Sequence, residues 1–260
     1  MCQRGKPGWG ENVALVTAMA NSYGGRWFDM EWTPELTSQA WDSALRMYIE
    51  LGALADPGSR EFGFNENTEL FRNGQCAIWV DSTAAGSALV ADGSQVADVV
   101  GFAQAPGTGL SKDSAWLWVW SLAVPANSTH ADLAKEFAGW ASSPEYLELA
   151  AAEYGWDSVP PGIRESLYSN PEYIASAPVA ELTLASITAA DPLNPTVEPV
   201  PYSGIQYVTI PEFQSLGNAA GNQIASALSG NLSVAEALDR SQWVTEQLND
   251  QIRFMQEDDR

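Results

Sequence analysis

Apolar positions recur every three or four residues along much of the chain, a spacing typical of amphipathic helices. Ser38 stands where a helix N-cap is expected, and the stripe that follows it ends near Gly52. Ser233 and Glu236 form a capping box before the last stripe. The helices predicted in this way cover 10–21, 38–52, a short segment ending at Gly74, 211–229 and 234–256.

The period changes in the middle of the chain, where short apolar runs predict buried strands. These runs lie at 76–80, 96–102 and 116–124. In the third run Trp116, Trp118 and Trp120 alternate, so a strand would place all three on one side.

A helix is predicted directly after the third strand. Thr129 and Asp132 form a loose capping box, and the buried stripe is predicted at Leu133, Phe137 and Trp140. The next helix begins at Ser143-Pro144-Glu145, and the proline-rich stretch 155–210 indicates short helices joined by ordered turns. Helices alternating with few strands predict an α/β domain.

The composition excludes several classes of function. The formal net charge of −21 makes nucleic acid and anionic lipid poor partners. The single histidine, His130, lies in a predicted first helical turn, and the two cysteines, Cys2 and Cys76, form no CxxC pair. The sequence therefore predicts no Cys/His zinc site, metal or cofactor, and it leaves open whether the two cysteines pair.

Eleven tryptophans are the strongest compositional signal, and several lie beside glycines. The face of an indole fits the C–H face of a sugar or polyol. Trp41, Trp140 and Trp243 lie on helical stripes and are predicted to be core residues. For Trp27 and for the tryptophans of the third strand, core packing and ligand contact stay equally open.

Hydroxyl-rich ligands also require charged hydrogen-bonding groups. Asp81 follows the predicted strand 76–80 and could face a cleft or cap a helix over 82–91. Arg4 and Arg26 are equally ambiguous. No two carboxylates stand out as a glycosidase pair, and no phosphate-binding loop is present.

Several short sequence motifs follow one another along nearly the whole chain. They are Arg4–Asn12, Gly24–Met30, Phe71–Asp81, Ala123–Ser128, Ala134–Phe137, Ser143–Glu145, Pro160–Arg164, Asn194–Gln206 and Ile210–Phe213. Taken in this order, they resemble the extracellular solute-binding proteins of ABC transporters, sugar-binding family 1. The last three motifs are more similar still to the polyol subgroup, which binds sorbitol and mannitol.

The resemblance implies a clamshell fold of the periplasmic-binding-protein type II. It assigns 1–112 to the C-terminal lobe and 113–160 to a segment that crosses to the N-terminal lobe. Residues 161–260 are then expected to return to the C-terminal lobe and to end in the two closing helices. Since family members begin with a further N-terminal lobe and an export signal, we expect the natural chain to begin upstream of residue 1.

The resemblance also implies the function: a periplasmic, monomeric binding protein, not an enzyme, that captures a sugar alcohol or a related sugar between two lobes and delivers it to the permease. The ligand-binding residues expected are Arg4, Trp9, Trp27, Asp81, Trp116, Trp118, Tyr202 and Gln206. The alternatives are a fragment of a carbohydrate-active enzyme and a truncated product without activity of its own.

Overall fold

The computed structural model describes residues 1–110, 112, 116–162 and 164–258, with side chains described through residue 248. Ten α-helices lie in these residues. They are α1 (Asn12–Ser22), α2 (Gln39–Gly52), α3 (Phe64–Arg72), α4 (Gly86–Val90), α5 (Ala131–Ala141), α6 (Pro144–Tyr154), α7 (Pro171–Ser176), α8 (Ala180–Ala189), α9 (Phe213–Leu228) and α10 (Val234–Asp258). Four short 3-10 helices lie at Pro57–Glu61, Thr83–Ala85, Trp156–Ser158 and Leu167–Ser169.

The chain divides into two units, each built from separate stretches of sequence. The first unit comprises 1–81, 104–117 and 189–260, and the second comprises 82–103 and 118–188.

The core of the first unit is built by α1, α2, α9 and α10, which pack on one another. Trp27 and Trp41 meet edge to face at its centre, with ring centroids 5.1 Å apart, and Trp27 contacts Phe213 in the same geometry at 5.2 Å. Trp27, Trp41 and Tyr48 are at most 1% exposed. Apolar burial of this kind is the main source of a domain's stability.

The second unit has a smaller core around Tyr168 and Tyr173, whose rings lie 6.0 Å apart. Local capping sets its helix boundaries. The Ser143 hydroxyl accepts from the Tyr146 amide at 3.2 Å, and the Asn170 side chain accepts from the Glu172 amide at 2.8 Å.

The helices predicted from periodicity are confirmed, with end points shifted by one or two residues. Ser38 is the N-cap of α2. Ser233 and Glu236 make both bonds of the predicted capping box, at 2.9 and 3.2 Å. These predictions succeed because helix formation depends on local sequence.

The three predicted strands are not formed. Within the described ranges the β pairing is confined to two isolated bridges, Cys2 with Trp79 and Phe28 with Pro34. Residues 96–99 form a turn, and 116–124 has no strand assignment. An apolar run becomes a strand only beside a partner chain segment that accepts its hydrogen bonds, and periodicity carries no information about that partner.

Three apolar positions predicted to be buried are exposed. Leu133, Phe137 and Trp140 are 67%, 57% and 44% exposed on α5. Trp243 on α10, predicted as core, is 61% exposed. The stripe is real, but a stripe is buried only where another element covers it, as happens for Trp41 on α2.

Candidate functional site

Arg4 and Asp81 meet because two distant segments run side by side. The Cys2 amide donates to the Ile78 carbonyl at 2.8 Å, and Cys2 forms a parallel bridge with Trp79. Two residues further along both segments, Arg4 lies opposite Asp81 in the same register. Since side chains two residues apart in extended chain point to the same face, the register places these two charges together.

Arg4 is held by two carboxylates. Its Nε and Nη2 donate to the two oxygens of Asp81, each at 2.7 Å. Its Nη1 donates to Glu11 and to the Gly10 carbonyl, both at 3.0 Å. The bidentate pair with Asp81 has the planar geometry that favours Arg–carboxylate recognition.

The charges of this cluster are largely buried. The side chains of Arg4 and Asp81 are 9% and 3% exposed, whereas that of Glu11 is 27% exposed. Burial lowers the pKa of the Arg4 guanidinium, but the hydrogen bond and charge of Asp81, with those of Glu11, outweigh burial and raise the pKa above its ordinary value. Arg4 therefore stays charged, and Glu11 is the carboxylate most open to a ligand.

Aromatic rings surround the ion pair. The Arg4 guanidinium lies over Phe64 at 5.2 Å and over Trp116 at 5.1 Å, as measured to the ring centroids. The Trp79 indole nitrogen donates to Asp81 at 3.2 Å. Carboxylate oxygens beside indole faces suit a ligand rich in hydroxyl and C–H groups.

Glu11 is fixed at the turn that leads into α1. The Gly8 amide donates to the Asn12 side chain at 3.1 Å, and Asn12 donates to the Gly221 carbonyl on α9 at 2.9 Å. A Cβ at Gly63 would lie 2.6 Å from a Glu11 carboxylate oxygen, so a larger residue at position 63 would displace this carboxylate from its present position.

The structure brings three of the predicted site residues into this cluster: Arg4, Asp81 and Trp116. Trp9 lies on the same turn as Glu11, where its amide donates to Asn218 at 3.1 Å and its ring packs against the core. Asp81 does not cap a helix; the Ser82 hydroxyl caps the following 3-10 turn.

Four predicted site residues lie elsewhere. Trp27 is a core residue whose indole nitrogen donates to Thr17 at 3.1 Å, and its amide donates to the Tyr202 hydroxyl at 3.1 Å. Gln206 is buried and pairs with the backbone of Leu117. Trp118 belongs to the second unit, with its ring 6.2 Å from that of Trp120.

Sequence reasoning missed Glu11, Phe64 and Trp79 as members of the cluster. Trp79 stands two residues before Asp81, so alternation along an extended segment could have identified it. Glu11 lies inside the Arg4–Asn12 motif that carries the family resemblance. For Phe64 the sequence offers no such signal.

Arg26, ambiguous from sequence, is held by Glu35 at 2.6 Å and by the Pro199 carbonyl at 2.7 Å, apart from the Arg4 cluster. The residues that the structure describes contain no group of three or more His, Cys, Asp or Glu side chains arranged to hold a metal ion. None of the described helices is long and apolar enough to cross a membrane.

Comparison with known proteins defines the class. Residues 1–148 match the family model of bacterial extracellular solute-binding proteins, which is more than half of the chain. The chain belongs to this family.

Two relatives stand at the same level of identity. The mannitol-binding protein of Pseudomonas aeruginosa is 49% identical over 248 residues, covering 94% of this chain and 56% of the relative. An ABC transporter solute-binding protein of Agrobacterium vitis S4, solved with bound D-mannitol, is 49% identical with a TM-score of 0.94 over 96% of this chain and 61% of that one. The chain therefore spans little more than half the length of these relatives.

A more distant structure shares the fold. The solute-binding protein of Agrobacterium radiobacter K84, solved with ribitol, has a TM-score of 0.77 at 21% identity, covering 95% of this chain and 59% of that chain.

Proposed function

We propose that this chain is the substrate-binding part of an ABC importer that captures a mannitol-like sugar alcohol in the periplasm and delivers it to a membrane permease. The observation that carries the proposal is 49% identity over 94% of the chain to a mannitol-binding protein. It is a binding function without catalysis, performed by a monomeric protein whose two lobes close on the ligand.

The Arg4 cluster supports a polyol as the ligand. The two carboxylates have lone pairs beyond those that Arg4 uses, so they can accept from neighbouring hydroxyls. All three guanidinium nitrogens of Arg4 donate hydrogen bonds to the two carboxylates of the cluster. Its role is therefore to orient Asp81 and Glu11, while Trp79 and Trp116 offer apolar surface to the carbon chain.

The ligand class is tested by calorimetry and thermal melting of the chain with D-mannitol, D-sorbitol, ribitol and maltose. A polyol at about a hundred times its Kd should stabilise the fold by about 2.7 kcal/mol. A saturable shift with a polyol and none with maltose is expected. A cooperatively melting chain that responds to no polyol would overturn the proposal for this chain.

The site is tested by Glu11→Gln and Asp81→Asn. Each removes a charged acceptor, which is worth about 1.5–3 kcal/mol and so should raise the Kd for the polyol by about 10- to 100-fold. The matched control is Asp42→Asn, which breaks the exposed Arg46 pair at 2.7 Å elsewhere on the first unit. If both site variants bind like the parent while the parent binds mannitol, the ligand is held at another place.

A further inference from the structure

The Cys2–Cys76 disulfide lies on the same two segments that bring Arg4 and Asp81 together. Cys2 is two residues before Arg4, and Cys76 is five residues before Asp81. The two Cα atoms are 5.5 Å apart although the residues are 74 positions apart in sequence. Both cysteines are buried, at 1% and 8% exposed.

The first segment is also anchored outside this pair: the Gln3 side chain donates to the Tyr48 carbonyl at 2.9 Å, and the Gly5 amide donates to the Phe62 carbonyl at 3.0 Å. Besides the disulfide, and among the described residues, the two segments themselves are joined by the single bridge, the backbone bond from Cys2 to Ile78 and the Arg4–Asp81 pair, and not by the ladder of a regular parallel pair. Trp79 also packs against Phe64 and Phe71, with ring centroids 5.8 and 6.0 Å apart in tilted geometry, and these contacts involve neither Cys2 nor Arg4. Ile78 is 62% exposed.

The register decides whether the charges meet. A slip of one residue turns every side chain of an extended segment to its opposite face. Asp81 would then leave Arg4, and the Trp79 indole would lose its acceptor.

We propose that the Cys2–Cys76 disulfide is a positioning element of the ligand site, which fixes the register that pairs Arg4 with Asp81 and makes polyol binding dependent on the oxidised state. The inference rests on the proposed function. It implies that the site is completed only in an oxidising compartment, where such bonds persist.

The test compares the oxidised parent with the double variant Cys2→Ala/Cys76→Ala, each with and without Asp81→Asn. Mannitol affinity is measured by calorimetry well below the melting temperature. Removing the disulfide should raise the Kd about tenfold in the parent and leave it nearly unchanged beside Asp81→Asn, because both changes act through one pair. A disulfide that only stabilises the fold would lower Tm and leave Kd unchanged, which would overturn the proposal.

Reduction gives the same comparison without substitution, in case the double variant does not fold. Two electrons and two protons pass from the thiols of dithiothreitol to the protein's sulfurs; the S–S bond breaks, two S–H bonds form, and the reagent closes into its cyclic disulfide. Dithiothreitol should weaken mannitol binding by the parent about tenfold and by Asp81→Asn hardly at all. Equal affinity before and after reduction contradicts the proposal.

A readout without ligand separates this inference from the proposed function. The Trp79 indole proton bonded to Asp81 should exchange with solvent about tenfold faster once the disulfide is removed. If the oxidised parent binds no polyol, the proposed function fails, while the exchange rate still decides whether the disulfide positions Asp81. An unchanged rate overturns the inference.

Discussion

At the scale of single residues, Arg4 shows what a buried charge requires. Its side chain is only 9% exposed, and the side chains to which it donates hydrogen bonds, Asp81 and Glu11, are both carboxylates. Deleting one partner of a buried pair leaves an uncompensated charge, which costs about 3–5 kcal/mol when no other partner remains. Glu11 stays beside Arg4 when Asp81 is neutralised, so Asp81→Asn should fold and report on binding.

Trp27→Ala should strongly destabilise the first unit. The indole is fully buried against Trp41 and Phe213, so truncation removes apolar burial, leaves a cavity and costs about 3–5 kcal/mol. Urea denaturation followed by circular dichroism measures the loss. The matched control is Trp243→Ala, which removes a 61% exposed indole and should change the free energy of unfolding by no more than about 0.5 kcal/mol. Equal losses would contradict the assignment of Trp27 to the core.

The buried Tyr202 hydroxyl should make the free energy of unfolding decrease at high pH. Burial raises the pKa of its hydroxyl to about 12, against about 10 in an unfolded chain. Below pH 10 both states hold the proton. Between pH 10 and 12 the unfolded state releases it and the folded state does not, so the free energy of unfolding falls by about 1.4 kcal/mol per pH unit.

The check is urea denaturation at several values between pH 9 and 12. Tyr202→Phe should lose this part of the slope, whereas Tyr154→Phe, at a 73% exposed position, should keep it. The same slope in both variants would show that Tyr202 ionises freely in the folded state.

For single residues, the sequence indicates what a side chain can bond to better than it indicates whether that side chain is buried. From their neighbours in sequence Arg4 and Asp81 are ambiguous, and the family resemblance makes them site candidates; the structure shows that they form one buried ion pair. Trp41 and Trp140 occupy similar helical stripes, yet one is 1% and the other 44% exposed. The difference arises from which element covers each stripe, and that is a property of the tertiary fold.

At the scale of elements, local rules predict the helices and fail for the strands. The start of α10 follows from Ser233 and Glu236 alone, since the capping bonds are made within four residues. The run at 76–80 depends on Cys2, which lies more than seventy residues away. No spacing rule within a short window can include that partner.

Ser233→Ala should weaken the first turn of α10. The substitution removes the hydroxyl that accepts from the Glu236 amide and should cost about 1 kcal/mol. The control is Ser215→Ala at an exposed position on α9, where alanine has the higher helix propensity and stability should not fall. Chemical denaturation of both variants measures the difference, and equal stabilities would argue against the cap.

At the scale of the whole molecule, charge opposes folding. A formal net charge of −21 on 260 residues produces self-repulsion that is greatest in the compact state. Both units keep their own buried clusters of apolar side chains against this repulsion.

Added salt should therefore stabilise the protein. Raising NaCl from about 0.01 M to about 1 M shortens the screening length from about 30 Å to about 3 Å, so Tm should rise. Screening predicts that most of the rise comes below about 0.3 M, whereas exclusion of salt from the surface would continue at higher concentration. Calorimetry over a NaCl series distinguishes the two, and a flat Tm would show that repulsion is negligible.

The side-chain amide of Gln206 forms two hydrogen bonds with the backbone of Leu117, as a peptide group of a neighbouring strand would. Its amide oxygen accepts from the Leu117 amide at 3.2 Å, and its amide nitrogen donates to the Leu117 carbonyl at 2.7 Å. Glutamate has no donor at neutral pH, lysine has no acceptor, and asparagine is one methylene shorter. Few residue types can therefore replace glutamine at this position. In natural variants that keep both hydrogen bonds to Leu117, we expect fewer substitutions at residue 206 than at other positions that are equally buried.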